Sequence, residues 1–372
     1  MFDALTLHNF KAFRDIHIPI KPLTLLSGLN GSGKSTTLQA LALLRQSWDT
    51  GFLSSRGFLL NGDLIELGTG VDVLNDQHDD EEIGITLHGP NERDFAYRVA
   101  YDPRGDLLHF SVKPDFGFYS GLEHKRGLFG NSFQYLRADR AGPEVSFPKA
   151  YHLVNERRFL GSRGQYTAHF LSLFGDEEVN PKLRHHNETA PGLLSQVNAW
   201  LKEFSPGVGL AVEDIPRTDS VRLDYFYGGS AGISGSNLYR STNVGFGLTY
   251  VLPILVACLA SPPDSWLLIE NPEAHLHPQG QAAMGQLMAR SAAIGTRIVV
   301  ESHSDHFLNG IRLAVKSGEI PARDVGLNFF RRPSGASQTE RINPGVTPEG
   351  RLTDWPDGFF DQWDKSLDQL LS

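Results

Sequence analysis

The stretch LTLLSGLNGSGKSTTLQALALL, residues 23–44, decides the fold: an apolar strand breaks into glycines and resumes as a helix. Within it Gly28 to Ser35 fits the pattern G-x-x-x-x-G-K-[ST], and the flanking strand and helix supply the context in which that pattern captures phosphate. Gly28, Gly31 and Gly33 let the backbone curl, so that the N–H groups of Asn30, Gly31, Ser32 and Gly33 turn inward towards a β-phosphate. The start of the helix, Lys34 to Thr36, adds its partial positive charge. Lys34 is expected to reach the β- and γ-phosphates and Ser35 to ligate Mg²⁺, so the expected cofactors are ATP and Mg²⁺.

The chain has 372 residues and 40% apolar content, enough for a large core in one elaborated domain or two. No apolar run is long enough to span a bilayer, and MFDALTLHNF lacks the layout of a signal peptide, so a cytoplasmic protein without a membrane partner is expected. The single cysteine, Cys258, lies in the run VLPILVACLA and reads as a small buried hydrophobe. A net charge of −9 opposes sequence-independent adhesion to a polyanion, although a local basic patch could still bind DNA.

Outward from the phosphate loop, residues 3–26 read as an antiparallel pair, ALTLHNF and DIHIPI, feeding the strand PLTLLSG. The loop helix should run from Lys34 to about Ser47, with Leu38, Leu41 and Leu44 on one packed face. IGITL, FAYRVAYD and DLLHFSV, between polar turns, predict a β-meander, and Phe133 to Leu136 one more strand. Residues 144–240 lose clear alternation and read as an inserted lobe, helical over Gly192 to Phe204, with Arg184-His185-His186 at a solvated turn and Gly228 to Gly232 a mobile loop. An apolar helix from Leu248 to Leu259, the strand SWLLIE, a further helix and the strand TRIVVESHS follow, which predicts a parallel α/β sheet. The tail carries the strand VGLNFF and an aromatic end.

A phosphate loop needs a carboxylate at the end of a neighbouring apolar strand to hold Mg²⁺, and Trp266 to Glu270 supplies one. The next strand ends in Glu301-Ser302-His303-Ser304, whose histidine can reach a γ-phosphate or an attacking water. His275 and His277, with Glu273, fit no standard zinc spacing and read instead as the loop at which two subunits meet. The serines and histidines of Ser302 to His306 lack the G-x-S-x-G context of a nucleophile.

The phosphate loop, LLIENPEAHLHP and VVESHS, in that order, resemble the motifs of ABC-class ATPases of the RecF, SMC and OLD-like branch. The opening NFKAFRDIHI resembles the first hairpin of that branch, and DWPDGFFDQWDKSLDQLL the uncharacterised C-terminal segment of a subgroup. The resemblance implies an α/β, ABC-ATPase-like P-loop fold with an antiparallel β subdomain, a central mainly parallel sheet and an inserted partly helical lobe. The chain then divides into residues 1–143, 144–240, 241–320 and 321–372. Glu270 takes the magnesium-binding position, His303 the switch position, and Lys11, Phe13 and Arg14 would flank the adenine. Gln134, Arg137 and Arg140 would form a nucleotide-sensing loop.

ATPases of this class pair two copies, each offering a signature loop to the other's γ-phosphate. Here Ser241 to Gly247 fits loosely, with Asn243, Gly245 and Gly247 as the contacts. Asn271 stands where the family places its catalytic glutamate, and asparagine cannot take a proton from water. Either Glu273 is the base, or ATP turns over slowly and mainly holds a homodimer. The implied role is an ATP-dependent dimer acting on DNA or on a partner effector, in genome maintenance or phage defence. No D-x-D motif follows His303, so nuclease action would need a separate subunit.

Overall fold

The computed structural model describes residues 2–90, 93–114, 127–228, 237–332 and 338–371, with no side-chain description at 93 or 362–365. Four of the five residues of the expected mobile loop at Gly228 to Gly232 lie outside them. The chain forms two compact units, residues 1–130 with 299–303 and 322–372, and residues 131–298 with 304–321.

The first unit contains a six-stranded antiparallel sheet in the order Phe13–Pro19, Ala4–Phe10, Glu82–Gly89, Arg93–Ala100, Leu107–Val112, Gly57–Leu59. Period-two alternation buries one face: Leu5 and Leu7 stand opposite Leu87 and Ile85, and all four are excluded from water. The phosphate-loop strand Leu23–Gly28 runs parallel to Val325–Arg331, pairing Ser27 with Phe329 and Gly28 with Phe330. Its other neighbour is Arg297–Glu301, and the Ser302 N–H just beyond donates to the Leu26 carbonyl at 3.1 Å. The helix Lys34–Asp49 is buried on more than the one face its periodicity suggests. Gln46 ties the far side to the segment after Gly57, donating to Leu59 O and accepting from the Leu64 and Ile65 N–H groups, each at 3.0 Å.

In the second unit Trp266–Glu270 pairs in parallel with Phe133–Leu136. The helices Pro278–Ala293 and Asp305–Lys316 approach closely at glycines: a Cβ on Gly310 would stand 2.1 Å from the Ala282 carbonyl oxygen. Cys258 is fully buried in the helix Phe246–Ala260, which pushes its thiol pKa up to about 12. The helices Thr167–Phe174 and Leu193–Phe204 bear out a partly helical lobe, yet Val208–Asp214 and Ser220–Tyr227 add an antiparallel sheet there, joined by Tyr239–Arg240 and Phe147–Pro148. The turn expected to be solvated is also corrected. His185 is 5% exposed, stacked on His186, edge-on to Trp200 and 3.0 Å from Glu203, whereas His186 is exposed as expected.

Candidate functional site

Three glycines of the phosphate loop take left-handed backbone, with φ +140° at Gly28, +75° at Gly31 and +100° at Gly33. Gly28 could carry no side chain, since a Cβ would lie 2.1 Å from the Phe330 carbonyl oxygen. The helix that follows has no side-chain cap and no acidic residue in its first turn, which leaves its N-terminal dipole open to an anion. Asn30 and Gly31 are exposed, whereas Ser32, Gly33, Lys34 and Thr36 are buried.

The polar groups of this unit converge on Glu301. The Ser35 hydroxyl donates to its carboxylate at 2.7 Å, the Lys34 ammonium is 3.8 Å away, and the His303 Nε2 is 3.8 Å away. Glu301 is 5% exposed and Lys34 3%. Lys34 also donates to the Leu29 carbonyl at 2.8 Å, which folds the ammonium back along its own loop. Burial lowers the Lys34 pKa and Glu301 partly restores it. Burial and the Lys34 charge lower the pKa of His303, which favours the neutral imidazole. Among these residues the Ser35 hydroxyl and the Glu301 carboxylate are the hard oxygen donors that suit Mg²⁺.

The neutral state of His303 has a measurable consequence. Its folded pKa lies below the ordinary 6.5, so on acidification the unfolded chain takes up a proton before the folded one and stability falls. Following the His303 ring signals by NMR should give a midpoint below 6.5, and His303→Gln should flatten the decline of stability below pH 7. A midpoint above 6.5 would contradict the assignment.

The second unit holds the other motif residues. Glu270 ends its strand with both carboxylate oxygens engaged, one by the Tyr135 hydroxyl at 2.5 Å and one by the Ala138 N–H at 2.9 Å. Arg140, 1% exposed, donates to the carbonyls of Glu270 at 2.6 Å, Asn271 at 2.7 Å and Arg137 at 3.0 Å. Its pKa is lowered to about 10 by burial, against the pull of Glu273 and Glu270, so it stays charged. The expected sensing loop is therefore a buried brace at Arg140. Gln134 is likewise internal, donating to Arg158 O and accepting from Leu160 N–H. Only Arg137, paired with Asp139, remains half-exposed. Removing the Arg140 guanidinium strands three part-buried carbonyls, so Arg140→Ala should cost about 3 kcal/mol. Urea unfolding checks it; an unchanged midpoint would count against the brace.

Asn271 has φ +44°, a region that asparagine tolerates better than glutamate, and its Oδ1 is buried without a hydrogen bond. His275 is also left-handed, at φ +63°, and packs edge-on against Tyr250 at 4.8 Å. The loop carrying Asn271, Glu273 and His275 thus lies on the first turns of the Phe246–Ala260 helix. Gly247 has a packing reason, since a Cβ there would meet the His275 carbonyl oxygen at 2.6 Å. Gly245 is the helix N-cap with open space beside it, Asn243 ends a 3₁₀ turn, and Phe246 is 59% exposed.

The expected adenine-flanking residues are otherwise employed. Phe13 is 2% exposed, its ring lies against Gly33 and it packs on Phe330 at 5.6 Å, so it supports the phosphate loop from within. Arg14 pairs with Asp79, and Lys11 is half-buried with its pKa lowered by desolvation. Glu301 is the site residue to which the motifs assign no role, although it is the one charge at the tip of an apolar strand, and nothing in the sequence around Arg140 signals its burial.

Residues 1–128 match a family described as an AAA ATPase domain. Residues 231–309 match an AAA domain family whose description mentions the AbiEii toxin and type IV TA systems, and residues 320–370 a family of unknown function, DUF3696. A protein of Thermus scotoductus named OLD nuclease is 39% identical over 336 residues, which cover 82% of this chain and 60% of that protein, so the chain spans less than two thirds of this relative. Among solved structures, an SMC head bound to the C-winged helix domain of ScpA superposes with a TM-score of 0.52 at 13% identity, covering 92% of this chain and 98% of that one. That likeness bears on the fold alone.

Proposed function

We propose that the chain is a P-loop ATPase of the SMC- and OLD-like branch of the ABC class, which binds ATP on the Gly28 to Thr36 loop and hydrolyses it. The observation that carries this reading is the convergence of Lys34, Ser35 and His303 on Glu301 beside three left-handed glycines. Loop N–H groups and Lys34 hold the phosphates, and neutral His303 offers a hydrogen bond towards the terminal one. Ser35 and Glu301 hold Mg²⁺, which when bound neutralises charge on the phosphate oxygens. Glu270 is a further proposed metal carboxylate and Glu273 the proposed base, in place of the glutamate that Asn271 replaces.

A second copy of the chain completes the site, with Asn243, Gly245 and Gly247 at the open helix N-terminus facing its terminal phosphate. The exposure of Phe246 and the open space at Gly245 support that contact. Closure then acts on DNA or on a separate effector or nuclease subunit, in genome maintenance or phage defence. The left-handed Asn271, whose side-chain Oδ1 is buried without a hydrogen bond, favours one alternative, a slow ATPase in which nucleotide chiefly gates assembly.

Light scattering with Mg²⁺-ATP tests the pairing. Glu273→Gln should hold ATP and double in mass, and adding Gly245→Asp should keep it monomeric. A mass indifferent to nucleotide would remove the dimer from the account.

A further inference from the structure

The C-terminal segment has no assigned role, yet it meets the phosphate loop within the first unit. Phe359 is fully buried, with its ring 5.3 Å from Phe329 and 6.0 Å from Trp355, both edge-on. Phe329 lies on the strand that pairs with Leu23–Gly28, so this aromatic anchor fastens the segment to the strand beside the loop. The turn it holds is sharply defined. Gly358 is left-handed at φ +84° and its N–H donates to the Asp361 carboxylate at 2.9 Å, while Phe360 takes φ +53°, which is costly for a bulky residue.

Between this turn and the loop lies a cavity of about 330 Å³. Gly28, Leu29 and His303 line one side, and Gly358, Phe360 and Asp361 line the other. A backbone strained at Phe360 and braced on two sides is an outlier that asks for a function at the surface it forms. The groups that line the cavity with it are the first turn of the phosphate loop and His303, which the proposed function places at the end of a bound nucleotide.

We propose that the turn Pro356 to Asp361 is the wall of the nucleotide site on its His303 side, and that it sets the preference between nucleoside tri- and diphosphates. The inference rests on the reading of Gly28 to Thr36 as the nucleotide loop. A terminal phosphate brings negative charge into a cavity that Asp361 already lines with a carboxylate, and like charges repel across it. A diphosphate leaves that end of the cavity empty. Asp361 therefore weakens the hold on a triphosphate and eases its release, while Phe360 bounds the space it may occupy. Asp361 and Phe360 are positioning residues in this scheme, since no bond is made or broken at either.

The test measures the affinities of ADP and ATPγS, each with Mg²⁺, for the full chain and for Asp361→Asn and Phe360→Ala, together with amide hydrogen exchange. Asp361→Asn keeps the side chain's shape and should shift the ADP to ATPγS affinity ratio at least fivefold in favour of ATPγS. Exchange at 356–361 should differ between the two nucleotides at least threefold. Loop amides at 31–36 protected by both nucleotides, with the ratio unmoved in both variants and residues 356–361 indifferent, would overturn the wall and leave the nucleotide site standing. Loop amides that neither nucleotide protects would overturn both. A Phe360→Ala protein that fails to fold leaves the Asp361→Asn ratio to decide.

Discussion

Lys34→Ala is expected to fold normally and to bind ATP at least about a hundredfold more weakly than the unaltered chain. The Lys34 ammonium is 3% exposed and rests on the Leu29 carbonyl at 2.8 Å, with Glu301 3.8 Å away. In the proposed site, phosphate oxygens take the place of that carbonyl. Two charge-assisted hydrogen bonds to phosphate contribute roughly 3 kcal/mol together, which is about two decades in Kd. The fold loses little, because the removed group is a buried ammonium whose desolvation already opposes its charge, and Ser35 still donates to Glu301. Fluorescence anisotropy of a labelled ATP, beside a thermal melt, reads both quantities. A Kd within threefold of the unaltered chain would remove Lys34 from the site.

The second large effect is expected from Glu301→Gln. Glutamine still accepts from the Ser35 hydroxyl, so stability should change by no more than about 1 kcal/mol. The charge is lost, however, and with it a hard anionic oxygen for Mg²⁺. The Mg²⁺ concentration for half-maximal ATP binding should rise at least about tenfold, while nucleotide binding without metal should strengthen, since a carboxylate no longer repels phosphate. An unchanged Mg²⁺ requirement would return the metal to Glu270 alone.

Glu301 also shows where sequence reading stops. The phosphate loop, the Glu270 strand and His303 are legible because each is a local pattern whose chemistry depends on spacing along the chain. The carboxylate that meets Ser35 lies 266 residues away and becomes visible only when two strands lie side by side. The first-unit sheet was legible for the same reason as the loop: IGITL and FAYRVAYD alternate cleanly, and the structure pairs them in register from Glu82 opposite Ala100. The sheet of the inserted lobe was missed because SVRLDYFY and VGLAVED bury runs of neighbours as well as alternate positions.

Arg140 illustrates the opposite failure. A loop arginine is normally solvated, and only the carbonyls of Glu270, Asn271 and Arg137 turning towards one point make burial of this one tolerable. Phe13 was misplaced for a similar reason. The resemblance of NFKAFRDIHI to the family's first hairpin implies an adenine-flanking position, whereas the missing side chain of Gly33 gives that ring a place inside. Asn271 was noticed as a change of chemistry, and its left-handed backbone adds a conformational cause that no spacing rule carries.

The most direct test of the central claim is a calorimetric titration of the full chain with Mg²⁺-ATP. Saturable binding at one site per chain, weakened at least tenfold when Mg²⁺ is withheld, is the result expected from Lys34, Ser35 and Glu301 as they stand. A titration that shows no saturable binding, or binding equally tight without metal, would contradict it.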